Sequence, residues 1–146
     1  MTALTAAPPD PAVRSRAARL RAPLLSAAGL AAVTYALRVR DPHVAHSWGV
    51  CPLYALTGVY CPGCGGLRAV NDLTHGHVHQ AASSNLLLLA AIPLVVVCFG
   101  RAGYAAWTGR DVSPVPLPSR VVTYGVIGVV LVFTILRNLP GSWLAP

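Results

Sequence analysis

Three of the four cysteines stand close together in the chain and have the spacing of metal ligands. Cys61 and Cys64 enclose a Pro-Gly pair and precede Gly65, which is the pattern of a zinc knuckle. Zinc takes four tetrahedral ligands, so the knuckle supplies half of a site and Cys51 supplies a third ligand. Candidates for the fourth ligand are the histidines that follow, His75, His77 and His79. The sequence therefore predicts a structural or regulatory site for zinc or another thiophilic metal, with Cys51, Cys61, Cys64 and His75 as ligands.

The same cysteines also suit two other kinds of site. Cys61 and Cys64 form a Cys-Pro-x-Cys pair ahead of a predicted helix, whose N-terminus would lower the pKa of a thiol and activate it. Cys51 would then be the resolving partner in thiol exchange linked to a quinone or a partner protein. In the third interpretation the cysteines are purely structural and form a disulfide or a close-packed turn. Catalytic triads, P-loops and dinucleotide fingerprints are absent, so we expect a non-catalytic role.

A short helix is predicted to follow the knuckle, from Gly65 to Thr74, with Gly76 as its stop. Arg68, Asp72 and His75 recur on it at i, i+4 and i+7, which places them along one stripe. The stripe could face the site, with Arg68 holding thiolates or the carbonyls of the turn. Alternatively, it is a solvated face on which Arg68 pairs with Asp72.

The elements around this motif have the composition of a membrane protein. Apolar residues make up 55% of the 146 positions, and charged residues only 10%. Long apolar runs predict three membrane-spanning helices. Their expected ranges are 23–39, 82–100 and 121–137. Asn85 stands at the mouth of the second span as a predicted helix cap, and Cys98 lies within that span as a lipid-buried thiol.

The predicted fold is therefore an all-α integral membrane protein. Residues 1–22 are expected to be a disordered basic tail, because prolines are followed there by closely spaced arginines. Residues 23–146 are expected to form one helical membrane domain. The cysteine motif, residues 51–76, would be a short helix or a re-entrant segment between the first two spans.

The charges predict an orientation in the membrane. All eleven positive residues are arginine, and seven of them fall in the N-terminal tail and the connection between the second and third spans. The positive-inside rule then places the N-terminus in the cytoplasm and the cysteine motif outside, where disulfides are permitted. The arginines are scattered singly around apolar runs, so we do not expect nucleic-acid binding.

The central segment resembles a family of small bacterial membrane proteins, domain of unknown function 2752. The shared pattern is Cys-Pro, Thr-Gly, Cys-Pro-Gly-Cys-Gly, Arg-Ala, His-Gly and then an Asn that opens an apolar segment. In this chain the matching residues are Cys51, Pro52, Thr57, Gly58, Cys61, Pro62, Gly63, Cys64, Gly65, Arg68, Ala69, His75, Gly76 and Asn85. Leu67 stands where the family usually has threonine, which removes a hydroxyl, and Leu86 stands where proline commonly follows the asparagine. The resemblance implies a multi-pass protein of the bacterial plasma membrane and brings no activity with it.

Together, these features predict a small membrane component whose Cys/His site shapes a surface for another membrane protein, with the lipid bilayer as its environment. Two alternatives remain open. One is a membrane thiol-disulfide oxidoreductase that uses Cys61 and Cys64, and the other is a small transporter or channel subunit.

Overall fold

The computed structural model describes residues 15–110 and 119–146, and five α-helices account for the regular structure in these ranges. The helices are α1 (Arg16–Val39), α2 (Pro52–Thr57), α3 (Gly66–Thr74), α4 (Val78–Thr108) and α5 (Arg120–Arg137). The all-α prediction is therefore confirmed. The short helix predicted at Gly65 to Thr74 is α3, whereas α2 was not predicted.

Three of these helices are long and apolar enough to cross a membrane, namely α1, α4 and α5. Almost all of their side chains are exposed, including leucines and valines that a water-soluble fold would bury. Helices satisfy their own backbone hydrogen bonds and can therefore present such side chains to lipid. The prediction of an all-α chain with three helices that are long and apolar enough to span a membrane is thus confirmed.

The first span is longer than the sequence indicated. Helix α1 begins at Arg16, where the Ser15 side chain accepts a hydrogen bond from the backbone N–H of Ala18 at 3.3 Å. Pro23 was expected to start the helix but lies inside it. The expected tail of residues 1–22 is therefore helical from Arg16 onward, because this serine cap precedes the arginine-rich stretch. Residues 1–14 lie outside the described residues.

The second span also extends beyond its predicted ends of 82 and 100. Helix α4 is interrupted at Asn85, whose φ of −161° and ψ of 90° are extended backbone. The Asn85 side chain accepts a hydrogen bond from the Leu88 N–H at 2.9 Å, so it caps the longer second part, as predicted. The third span, α5, matches its predicted range closely.

Helix α3 packs against both α1 and α4 near one end of each. The Asn71 amide donates to the Leu37 carbonyl at 2.7 Å, and the Ser84 hydroxyl donates to the buried Asp72 carboxylate at 3.0 Å. At the opposite ends of the long helices, the Arg16 guanidinium lies 4.7 Å from the Trp107 ring. The N-terminal end of α1 and the C-terminal end of α4 therefore share one side, and the cysteine motif occupies the other.

The close approach of α3 to α4 requires a glycine at position 65. Gly65 has a φ of 74°, in the left-handed region, and a Cβ there would lie 2.3 Å from the Ser84 carbonyl oxygen. Gly76 has a similar φ of 80°, yet no other atom lies within 4 Å of the position that a Cβ would take there. A side chain at position 65 would therefore cause both backbone strain and a steric clash, whereas a side chain at position 76 would cause backbone strain alone.

We expect Gly65→Ala to lower the unfolding free energy by about 3 kcal/mol or more, because backbone strain and overpacking both contribute. Gly76→Ala should lose only the strain, about 1–2 kcal/mol. Denaturant unfolding of the two detergent-purified variants would measure the difference. Equal losses would contradict the close packing of Gly65 on Ser84.

Candidate metal centre

The structure brings three thiols together at the start of the motif. The Cys51 Sγ lies 3.5 Å from the Cys61 Sγ, which lies 3.1 Å from the Cys64 Sγ. All three sulfurs are within 4.8 Å of one another, and all three side chains are partly exposed. Thiolates at about 2.3 Å from a tetrahedral zinc stand about 3.8 Å apart, so small adjustments would fit these donors around the ion.

Helix α2 brings Cys51 to the knuckle. Cys51 is the N-cap of this helix, Pro52 occupies its first position, and Gly58 ends it with a left-handed φ of 70°. The chain then reverses, and the rings of Tyr54 and Tyr60 stack with centroids 4.5 Å apart. This reversal returns the backbone to Cys61 beside the N-terminal end of α2.

The knuckle is a pair of tight turns. The Cys64 N–H donates to the Cys61 carbonyl at 3.1 Å, and the Gly66 N–H donates to the Gly63 carbonyl at 3.0 Å. Gly65 then leads directly into α3. The two outer residues of Cys61-Pro-Gly-Cys64 therefore direct their side chains toward one point, as metal coordination requires.

The end of α5 binds the outside of the knuckle. Arg137 is fully buried, with 0% exposure, and donates from Nη1 to the Cys61 carbonyl and from Nη2 to the Cys64 carbonyl, both at 3.0 Å. The next residue, Asn138, pairs with the backbone of Tyr60 through its side-chain oxygen at 2.8 Å and its nitrogen at 3.0 Å. These contacts join residues more than 70 positions apart in the chain.

Asn85 holds the knuckle from the side of α4. Its side-chain nitrogen donates to the carbonyls of Pro62 and Cys64, at 2.9 and 3.0 Å. The Asn85 oxygen caps the second part of α4. The same side chain, placed at the break in α4, therefore also holds the knuckle in position. The backbone carbonyls of the knuckle are thus satisfied by Arg137 and Asn85, and the thiols remain free for other partners.

Two of the thiols differ strongly in acidity. Hydrogen bonding from the Tyr54 backbone N–H, supported by the neighbouring thiols, lowers the pKa of Cys51 to about 7. Burial, followed by hydrogen bonding to the other two thiols, raises the pKa of Cys64 to about 12. The thiol with the lowered pKa, Cys51, therefore stands at the N-terminus of α2, and Cys64, close to the start of α3, has a raised pKa.

The thiols open into a cavity of about 670 Å³. Aromatic side chains of Trp48, Tyr54 and Tyr60 line it, together with the Arg68 side chain. His46 is the one histidine among its lining residues in the described part of the chain. The cavity gives a ligand or a bound ion access from the side of the loop that follows α1.

The histidines proposed as fourth ligands lie elsewhere. His75 follows the far end of α3, where its Nδ1 is 2.9 Å from the Asn71 carbonyl and its ring stacks with His77. His79 packs against Trp143 at 5.6 Å between ring centroids. The nine residues of α3 separate these side chains from the thiols by about 13 Å of helix, so the structure does not bring His75 to the cluster.

Two residues of the predicted stripe on α3, Arg68 and Asp72, contact the loop after α1, and Arg68 also lines the thiol cavity. Asp72 is buried and lies 3.4 Å from the His43 ring, while the Arg68 Nε donates to the Pro42 carbonyl at 3.4 Å. The Arg68–Asp72 pair of the alternative interpretation is not formed among the described residues, because each side chain has another partner. Asp72 thus helps to position α3 against the loop after α1.

The other predicted residues lie away from the thiols. Thr57 and Gly58 end α2, and Cys98, which is not part of the motif, lies on the exposed surface of α4.

Arg137 and Asn138 are the site residues that the sequence did not indicate. The only signal in the sequence is an arginine at the end of an apolar span, a position that is typical of an interfacial charge. Its burial against the knuckle depends on a contact across 73 positions of sequence, which no local pattern encodes.

Residues 51–99 match the model of a protein family described as protein of unknown function (DUF2752), and this match confirms the resemblance seen in the motif. The matched segment contains the three thiols, α2, α3, the Asn85 break and most of the second span. Arg137 lies beyond it. No curated protein and no solved structure matches the chain.

Replacement of Arg137 by methionine should destabilise the protein by about 2–5 kcal/mol, because the buried carbonyls of Cys61 and Cys64 lose charged donors. Arg120→Met is the matched control, since Arg120 is exposed at the opposite end of the same helix. Denaturant unfolding in detergent would compare the two variants. If they lost equal stability, the contact between α5 and the knuckle would not hold the fold together.

Proposed function

We propose that the segment shared with DUF2752 binds a thiophilic divalent cation, zinc by the chemistry of its donors, through Cys51, Cys61 and Cys64. The observation that carries the proposal is the convergence of these three sulfurs within 4.8 Å at the wall of a cavity. Soft thiolate ligands select zinc over magnesium and calcium, which take oxygen ligands.

The charge around the thiols supports a metal. A buried arginine needs a compensating negative charge, since the desolvation of an unpaired ion costs several kcal/mol. The two aspartates in the described part of the chain, Asp41 and Asp72, face His43 instead of Arg137. One divalent cation with three thiolates has a net charge of −1, which matches the single charge of Arg137.

We assign the site a structural or regulatory role in a small membrane component. The metal would join the N-terminal end of α2 to the knuckle, and the knuckle is tied by its carbonyls to α4 and α5. Occupation of the site would therefore set the positions of the helix ends on this side of the membrane. A surface formed in that way suits docking of another membrane protein.

Thiol-disulfide exchange is the second candidate, and the low pKa of Cys51 favours it. In an oxidised Cys61–Cys64 pair, the Cys51 thiolate would attack the Cys61 sulfur and form a new S–S bond. Cys64 would leave as a thiolate and take up a proton, since its pKa is raised. A quinone or the disulfide of a partner protein would supply the oxidising equivalents.

We infer from the arginine counts that the N-terminus is cytoplasmic and that the thiols face the outer side of a bacterial plasma membrane. Labelling of intact cells with a membrane-impermeant maleimide, before and after permeabilisation, distinguishes this orientation from its inverse.

The detergent-purified chain should contain one zinc per molecule, measured by elemental analysis and native mass spectrometry. Cys51→Ser, Cys61→Ser and Cys64→Ser should each reduce the zinc content at least tenfold, since every ligand is needed, whereas Cys98→Ser should retain it. Chelation should also lower the unfolding temperature, because metal binding contributes to folding. A metal-free chain with a mass deficit of two hydrogens would refute the metal site and support the redox candidate.

The thiols of the chelator-treated, reduced protein should differ in their alkylation by iodoacetamide. Only the thiolate reacts, so the rate at Cys51 should rise as the pH increases through about 7 and level off above about 8. Cys64 should stay unreactive until strongly alkaline pH, because its pKa is about 12. Peptide mass spectrometry after brief labelling gives both rates. Similar pH profiles at the two residues would exclude Cys51 as the attacking thiol.

A further inference from the structure

The three-thiol site lacks a fourth protein ligand, and the loop after α1 holds a histidine beside it. His46 lines the same cavity as Cys51, Cys61 and Cys64. Within residues 15–110 and 119–146, the other residues that line the cavity carry no further cysteine, histidine or carboxylate side chain. His46 is therefore the one additional side chain of this cavity, in the described residues, with a donor that zinc commonly takes.

The remaining four histidines are engaged at other places. His43 lies between Asp41 and Asp72, with ring nitrogens 2.8 and 3.4 Å from their carboxylates. His75 and His77 stack on each other, and His79 packs on Trp143. No hydrogen bond, ion pair or ring contact involves the His46 imidazole in the part of the chain that the structure describes. Its ring is exposed and available.

The loop that carries His46 is held on both sides of the histidine, and the Ser47 N–H closes a turn around it by donating to the Val44 carbonyl at 3.1 Å. The Ser47 hydroxyl donates to the Asp41 carbonyl at 2.8 Å, and the Trp48 indole donates to the Arg40 carbonyl, also at 2.8 Å. His46 itself has a φ of 63°, and it is the one non-glycine residue among those described with a left-handed backbone. The backbone thus adopts an unfavourable conformation at the residue whose ring lines the thiol cavity.

We propose that His46 is the fourth ligand of the metal site, which completes a Cys3His centre. This inference rests on the proposed metal binding by the three cysteines. His46 lies outside the 4.8 Å cluster of the three sulfurs, so ligation requires the loop to move toward the thiols and would narrow the cavity. The centre would then link α1, through its C-terminal loop, to α2 and to the knuckle, so that metal occupancy is coupled to the position of the first span.

The test uses Co²⁺, which occupies tetrahedral thiolate sites and reports its ligands through visible and near-ultraviolet absorption. The full chain in detergent, cleared of metal by chelation, would be titrated with Co²⁺ alongside His46→Ala and His77→Ala. His77 is the matched control, since it lies away from the cavity. We expect His46→Ala to keep the thiolate-to-metal charge-transfer bands, to shift the d–d bands and to weaken Co²⁺ binding by at least about tenfold.

A second variant separates ligation from a structural role. His46→Cys should restore tight binding and strengthen the thiolate charge-transfer bands, because a fourth sulfur would bind the metal. An unchanged spectrum and affinity in His46→Ala, with no added thiolate absorption in His46→Cys, would overturn the assignment of His46 but leave the three-cysteine site intact. Failure of the unsubstituted chain to bind Co²⁺ or Zn²⁺ would instead refute the proposed metal function itself.

Discussion

The structure depends on one buried cation. The Arg137 guanidinium has no exposed surface, and it donates to the carbonyls of the turn that carries two of the three clustered thiols. It also lies 4.9 Å from the Phe133 ring and 5.9 Å from the Tyr60 ring, whose faces favour a nearby cation. A guanidinium suits this position because its planar fork of donors can bind several carbonyls at once. The last turn of the third span is thereby fixed to the knuckle.

The polar groups of the knuckle point to two different sides: its backbone carbonyls face Arg137 and Asn85, and its thiols face the cavity. Its carbonyls are bound by Arg137 and by Asn85, which reach them from different spans. The sulfurs are left at the cavity wall without a strong partner, because a thiol donates and accepts hydrogen bonds only weakly. The side chains of Arg137 and Asn85 therefore donate to the backbone of the knuckle, and the thiols remain accessible to a metal ion or to another sulfur. That division is what a metal ligand set requires, and it is equally what thiol exchange requires.

The sequence predicted those features that depend on local patterns. Long apolar runs identified α1, α4 and α5, and the Cys-Pro-Gly-Cys spacing identified the knuckle. The start of α1 was missed because a serine cap precedes a basic stretch that resembles a tail, and α2 was missed because six residues carry too little periodicity. The structure leaves His75, the predicted fourth ligand, outside the thiol cluster for a physical reason. A helix of nine residues moves the chain about 13 Å from the thiols, so nearness in sequence was misleading. Arg137 could not be linked to the knuckle because their contact joins the last span to the centre of the chain.

Charge balance distinguishes the states that the thiol cluster can adopt. A divalent cation with three thiolates keeps a net charge of −1 over a wide pH range, and a neutral histidine ligand leaves that charge unchanged. An oxidised Cys61–Cys64 pair has no charge, so only an ionised Cys51 could then compensate Arg137. In the fully reduced cluster, hydrogen bonds hold the pKa of Cys51 at about 7, so the charge that it offers Arg137 weakens as the pH falls below neutrality, while burial raises the pKa of Cys64 to about 12. The buried arginine is thus best compensated, and least dependent on pH, when the cluster holds a metal ion.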